Sequence, residues 1–138
     1  MSPVPQDIRR ALVDVLSAEP SVRWACLFGS AARGERFADL DVGVVLSDPG
    51  AVAFGRIANA LQQAVPGHTV DLVELTSLAP AVAGRVARER VLLVDNAPEE
   101  RAEWEVEANR RALDIEPWLR EFERLRLEAL GERLKADG

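Results

Sequence analysis

Leu27 to Leu46 read LFGSAARGERFADLDVGVVL. An apolar run, Val22 to Phe28, leads into Gly29-Ser30, and a polar loop from Ala31 to Ala38 follows. Asp39-Leu40-Asp41 then opens a second apolar strand that continues to Leu46. Side chains alternate across a strand, so Asp39 and Asp41 share one face while Leu40, Val42, Val44 and Leu46 share the other and face a core. The segment therefore predicts two strands joined by a donor-rich turn, with paired carboxylates beside that turn.

The chemistry follows from the spacing. Two ionised carboxylates this close repel unless a cation lies between them. Hard oxygen ligands suit Mg²⁺ or Mn²⁺, whose remaining positions take water and phosphate oxygens. Gly29 allows a sharp turn and close backbone approach. Ser30 supplies a hydroxyl where a helix can begin, so backbone N–H groups would face an anion. A third acid, Asp71, lies in the β-branched stretch Thr69 to Leu75, flanked by Val70 and Leu72. An acid among apolar neighbours on a strand is costly to bury without a partner, and a metal ion would be one. Glu74 competes for that role but reads as a solvated acid. Arg33, in the loop, is a candidate phosphate or acceptor contact.

This pattern of apolar-Gly-Ser, loop, Asp-apolar-Asp-apolar and a later apolar-Asp-apolar strand resembles the nucleotidyltransferase superfamily related to DNA polymerase β. The short chain and the step Ala32-Arg33-Gly34 are most similar to the minimal nucleotidyltransferases, often the antitoxin half of pairs whose other half is a helical HEPN ribonuclease. Val91 to Asp95, followed by a charged helix carrying Ala112 to Pro117, is similar to the carboxyl end of that family. The loop between Ser30 and Asp39 is shorter than in many members, and Ala38 stands where a serine is usual. The resemblance implies a Mg²⁺-dependent transferase using two ions and ATP. Asp39, Asp41 and Asp71 would be catalytic and metal-binding, and Gly29, Ser30 and Arg33 would contact the nucleotide phosphates. It further implies transfer of AMP to a tyrosine hydroxyl of a HEPN-type toxin. The alternatives are a non-catalytic antitoxin that masks its partner, and a small-molecule adenylyltransferase, which usually has an added substrate domain.

Composition bounds these readings. The 138-residue chain is long enough for one domain with a real core. Its net charge of −6 opposes direct polynucleotide binding, which calls for clustered Lys and Arg. No apolar run reaches membrane-spanning length, and the amino terminus mixes charges into an amphipathic pattern, so no membrane association and a cytoplasmic location are expected. The single cysteine, Cys26, sits in an apolar strand and reads as a buried, inert thiol. His68, the only histidine, has neither the cluster for zinc nor a nucleophile for a triad, and no P-loop is present.

Strands alternating with helices predict an α/β nucleotidyltransferase fold: a small mixed sheet of about four strands. Helices are expected largely on one side of it. Residues 1–97 form the expected core and 98–138 a helical extension packing on the core or a partner. Helices are expected over 5–18, 51–65 and 78–88, the last capped by Thr76 or Ser77. Pro117 predicts a kink or two consecutive helices in the tail. Beyond it, Trp118, Phe122, Leu125 and Ala129 form an apolar stripe, compatible with the domain, a homodimer or a helical partner as its cover.

Overall fold

Every residue from Val22 to Phe28 except Arg23 is apolar, and the strand they form, β1, is covered on both faces. The computed structural model describes residues 4–36, 39–48 and 50–137, without the side chains of 136 and 137. Phe37 and Ala38 of the loop, and Pro49 of the turn expected at 47–50, lie outside these residues. In chain order the elements are α1 (Gln6–Ser17), β1 (Val22–Phe28), α2 (Gly29–Ala32), β2 (Asp39–Leu46) and α3 (Ala51–Ala64). After these come β3 (Thr69–Glu74), a 3₁₀ turn (Leu75–Ser77), α4 (Pro80–Glu89), β4 (Val91–Asp95) and α5 (Pro98–Asp137).

The strands form one mixed sheet in the order β3-β2-β1-β4. β1 runs antiparallel to β2 and β4, and β2 runs parallel to β3. Parallel neighbours need a crossover, which α3 supplies. On one face Ala25, Leu27, Leu40, Val42, Val44 and Leu46 meet Leu12 and Leu16 of α1 and Ile57 and Leu61 of α3. On the other, Trp24 and Cys26 pack with Leu75, Val86 and Trp104. The rings of Trp24 and Trp104 lie 5.1 Å apart, tilted by 60°, an arrangement favoured by the ring quadrupoles. Helices therefore flank both faces, not largely one. The apolar residues of β1 on its second side, Trp24 and Cys26, leave an oily face that α4 and the root of α5 must cover. Cys26 is buried as expected, and burial pushes its thiol up to about 12.

β3 is an edge strand, and a side chain from α3 satisfies part of its open edge. Gln62 Nε2 donates to His68 O, and Val70 N–H donates to Gln62 Oε1 at 2.9 Å. Glu74 is not simply solvated: it accepts from Leu46 N at 3.3 Å and from Thr76 N at 2.8 Å. Thr76 and Ser77 do not cap α4. They belong to the 3₁₀ turn, and Ala79 precedes α4, with Pro80 in its first turn, where a missing N–H costs nothing.

The root of α5 is fixed by ion pairs: Arg23–Glu100 at 2.7 Å, Arg101–Asp95 at 2.9 Å and Arg90–Glu105 at 2.7 Å. Ala112 is the last residue of α5 buried against the domain. From there the helix continues through Pro117 as one element, not as two consecutive helices. The pairs Arg110–Asp114 and Arg120–Glu116 brace the turns on either side, each contributing about 0.2–0.5 kcal/mol. Leu113, whose carbonyl loses its helical donor at Pro117, is 64% exposed, so water can replace the missing bond. Among the described residues no helix is long and apolar enough to cross a membrane.

α4 and α5 touch where Gly84 faces Ala112. A Cβ at Gly84 would stand 2.3 Å from the Ala112 Cβ. Neither atom has a rotamer to move it away, so the helices must part. Gly84→Ala is expected to destabilise the fold by about 1–2 kcal/mol. The overpacking cost exceeds the helix-propensity gain of roughly 1 kcal/mol. A lower urea midpoint at unchanged slope is the expected result.

Candidate active site

β1 ends where β2 begins, and that corner gathers the chemistry. Phe28 pairs with Asp41 across the antiparallel ladder. Asp41 pairs with Asp71 and Asp39 with Thr69 across the parallel one. Neighbouring strands lie about 4.8 Å apart, so Asp41 and Asp71 stand side by side with their side chains on one face. Asp39, two residues before Asp41, shares that face. The opposite face of the same strand, Leu40 and Val42, is fully buried. Burial on that side fixes the register, because a one-residue slip would drive the acids into the core.

Gly29 closes the corner. Its φ of +74° is one that L side chains rarely adopt, and a Cβ there would lie 2.3 Å from Asp41 Oδ2. Two independent constraints thus require glycine: the turn, and the carboxylate seated against it. Ser30 follows as the second residue of α2, a single turn from Gly29 to Ala32. The first amides of such a turn have no intrahelical acceptor. Ser30 is half-buried and directly follows Gly29, the residue against which the Asp41 carboxylate sits.

The electrostatics are those of an acidic corner short of positive charge. Asp41 is half-buried, while Asp39 and Asp71 are exposed. Desolvation raises the Asp41 pKa above its ordinary value, the charges of Asp71 and Asp39 raise it further, and Arg33 alone opposes them. Arg33 is itself engaged: its guanidinium bridges Glu35 at 2.7 Å and Glu89 at 3.0 Å. Nε and Nη1 make these contacts, so a phosphate would draw on the remaining nitrogen, Nη2, or displace a carboxylate. Among the described residues, no three His, Cys, Asp or Glu side chains already form a closed metal cage. Uncompensated carboxylates repel one another. The donor set is still right for a hard divalent ion, which takes a few carboxylates from the protein and fills its shell with water and phosphate.

The structure thus brings Gly29, Ser30, Asp39, Asp41 and Asp71 to one corner, with Arg33 at its margin. Glu89, the residue that holds Arg33, gave no signal in the sequence, since it arrives from α4 by tertiary packing. A cavity of about 380 Å³ lies on the same sheet face but farther along β2, lined by Val45, Leu75, Leu78 and Trp104 among others and by none of the three acids.

The raised pKa has a consequence for stability. Ionised Asp41 is disfavoured in the fold, so its charge destabilises the protein above that pKa, and the penalty is relieved as pH falls through it. Asp41→Asn should therefore raise Tm at pH 7 by about 2 °C, a modest gain because solvent screens a half-exposed group. The gain should shrink as pH falls towards the ordinary carboxylate value of 3.8. Differential scanning calorimetry across pH 4–8 tests both the sign and the trend.

Likeness to known proteins agrees with this geometry. None of the curated proteins matches the chain. A chain of a toxin–antitoxin crystal structure with AMP-PNP superposes with a TM-score of 0.64 at 21% identity, over 88% of this chain and 97% of that one. A complex of tri-AMPylated Shewanella oneidensis HEPN toxin with MNT antitoxin gives a TM-score of 0.62 at 19% identity, over 89% and 95%. The structure of a putative minimal nucleotidyltransferase is 32% identical over 60% of this chain and 86% of its own, with a TM-score of 0.51. The first two likenesses are of fold. The family model described as polymerase beta, nucleotidyltransferase, matches residues 10–99. That span takes in both strands of the opening motif, the corner they build and the strand bearing Asp71, and on it the chain belongs to the polymerase β nucleotidyltransferase family.

Proposed function

We propose that the protein is a Mg²⁺-dependent adenylyltransferase acting as an antitoxin, moving AMP from ATP to a tyrosine hydroxyl of a HEPN-type toxin. The observation that carries this reading is the in-register pair Asp41–Asp71 beside the Gly29 turn. A repelling carboxylate pair seated against a turn that only glycine fits lowers stability without a structural return, which is a mark of functional sites. The solved complexes of similar fold, one with AMP-PNP and one with an AMPylated HEPN toxin, support the choice of nucleotide and acceptor.

Asp39 and Asp41 would hold the divalent ions, with Asp71 completing the set. Bound Mg²⁺ would neutralise charge on the phosphates and lower the pKa of the attacking hydroxyl. Ser30 and the first amides of α2 would bind the terminal phosphates and orient them. Asp71 would accept the proton of the acceptor hydroxyl as its oxygen bonds to the α-phosphorus. The bond from the α-phosphorus to the β-phosphate bridging oxygen breaks, and pyrophosphate leaves. The open, exposed placement of Asp39 and Asp71 suits an acceptor presented on another macromolecule.

A second reading, masking without catalysis, draws on the engagement of Arg33 by Glu35 and Glu89. One experiment separates the two. Lysate of the source cell is incubated with Mg²⁺, the protein and ATP labelled at the α- or γ-phosphate. Transfer predicts one protein band labelled by the α-label alone, lost with the Asp39→Asn/Asp41→Asn double variant. Asp71→Asn should slow labelling by about 10²–10⁴-fold, as loss of a general base does, while ATP binding persists. Partner inhibition that survives the double variant, with no labelled band, would establish masking instead.

A further inference from the structure

α5 carries a surface that the domain does not use. Past Ala112 no residue of the helix is buried against the domain among the described residues. Trp118, Phe122 and Leu125 are 79%, 69% and 51% exposed. Isolated apolar residues on a surface are ordinary, but a contiguous stripe marks an interaction site. Ile115, Trp118, Phe122, Leu125 and Ala129 follow one another at spacings of three, four, three and four. That is the a/d repeat of a coiled coil rather than the 3.6-residue repeat of a helix lying on a globular core. Pro117 falls outside this seam, at a c position, so it does not interrupt the contact face.

The flanks of the seam state what covers it. With Ile115, Phe122 and Ala129 at a, the g positions are Asp114, Glu121 and Glu128, followed by Lys135. The e positions are Leu119, Arg126 and Arg133. One flank is mainly acidic and the other mainly basic. In a parallel pair each g residue faces the e residue five positions on in the other helix, and e/g charges set partner and orientation. Glu121 would meet Arg126 of a second copy, and Glu128 would meet Arg133, twice each by symmetry. An antiparallel pair of the same helices would set acidic flank on acidic flank and basic on basic. Glu121 and Glu128 pair with Arg124 of their own helix, and Arg126 pairs with Glu123. Such exposed pairs are weak and do not prevent exchange.

We infer that α5 is a dimerisation arm: two copies of this chain join through a short parallel coiled coil over residues 114–135. The inference stands apart from the transfer reaction. The seam from Ile115 to Ala129 is only about 21 Å long, so the dimer is concentration-dependent. It forms without nucleating a helix, because the root of α5 is already anchored. The two catalytic corners would then lie at the same end of one stalk, related by its two-fold axis.

Sedimentation equilibrium of the full chain tests this. The expected result is reversible association from 15.1 kDa to twice that mass. Glu121→Lys/Glu128→Lys should weaken it at least about tenfold through like-charge flanks, as should Arg126→Glu/Arg133→Glu. Mixing the two variants should restore it, and Leu127→Lys, on the outer face, should leave it unchanged. Ala129→Cys should give a disulfide-linked dimer under a glutathione buffer, since a residues face each other only in the parallel register; buried Cys26 stays silent. Circular dichroism confirms that each variant keeps its helix. A chain monomeric at every concentration, a dimer indifferent to both charge reversals, or a dimer that Ala129→Cys does not cross-link would overturn the proposal.

Discussion

The contact between Gly29 and the Asp41 carboxylate is the point on which the site depends. It holds only because β1 and β2 are paired so that Phe28 faces Asp41. The same β2 residue is in register with Asp71 on β3, so one pairing scheme both seats a carboxylate in a turn and brings a second beside it. The hydrophobic face behind, Leu40, Val42 and Val44, locks this register. Folding energy from one side of the sheet thus holds together groups that repel on the other.

The far face of the sheet solves a different problem. β1 is apolar on both sides, so the sheet needs a second layer. α4 and the root of α5 provide it, and Arg23, Arg90 and Arg101 pin that root through Glu100, Glu105 and Asp95. Once α5 leaves the domain it keeps its helix through backbone hydrogen bonds and local ion pairs, without tertiary contacts. The same helix is therefore structural over its first turns and free for association over its last.

Much of this was legible in residues 27–46. Alternation from Asp39 to Val44 marked the strand, its faces and the shared side of the two acids, and the Val-Asp-Leu step marked the neighbours of Asp71. What alternation cannot say is which helices cover the second face of β1, because long-range packing decides that. Hence the expectation of helices mainly on one side did not hold. Thr76 and Ser77 look like caps by residue type, but the chain makes a 3₁₀ turn first, with Glu74 bonded to it and to Leu46 N. Pro117 breaks helices in general, but here ion pairs on both sides and the exposure of Leu113 to water lessen its effect. The tie of Arg33 to Glu89 joins residues far apart in sequence and leaves no mark on local pattern.

β3 is the outermost strand next to β2 and bears Asp71, and an open strand edge invites pairing with other chains. Gln62 offers that edge both a donor and an acceptor, as a fifth strand would. Around these bonds, foreign strands lose the hydrogen-bonding template they would need to add to the sheet. A single amide from α3 thereby occupies the first hydrogen-bonding positions of this edge, at His68 and Val70, while Asp71 stays exposed to solvent.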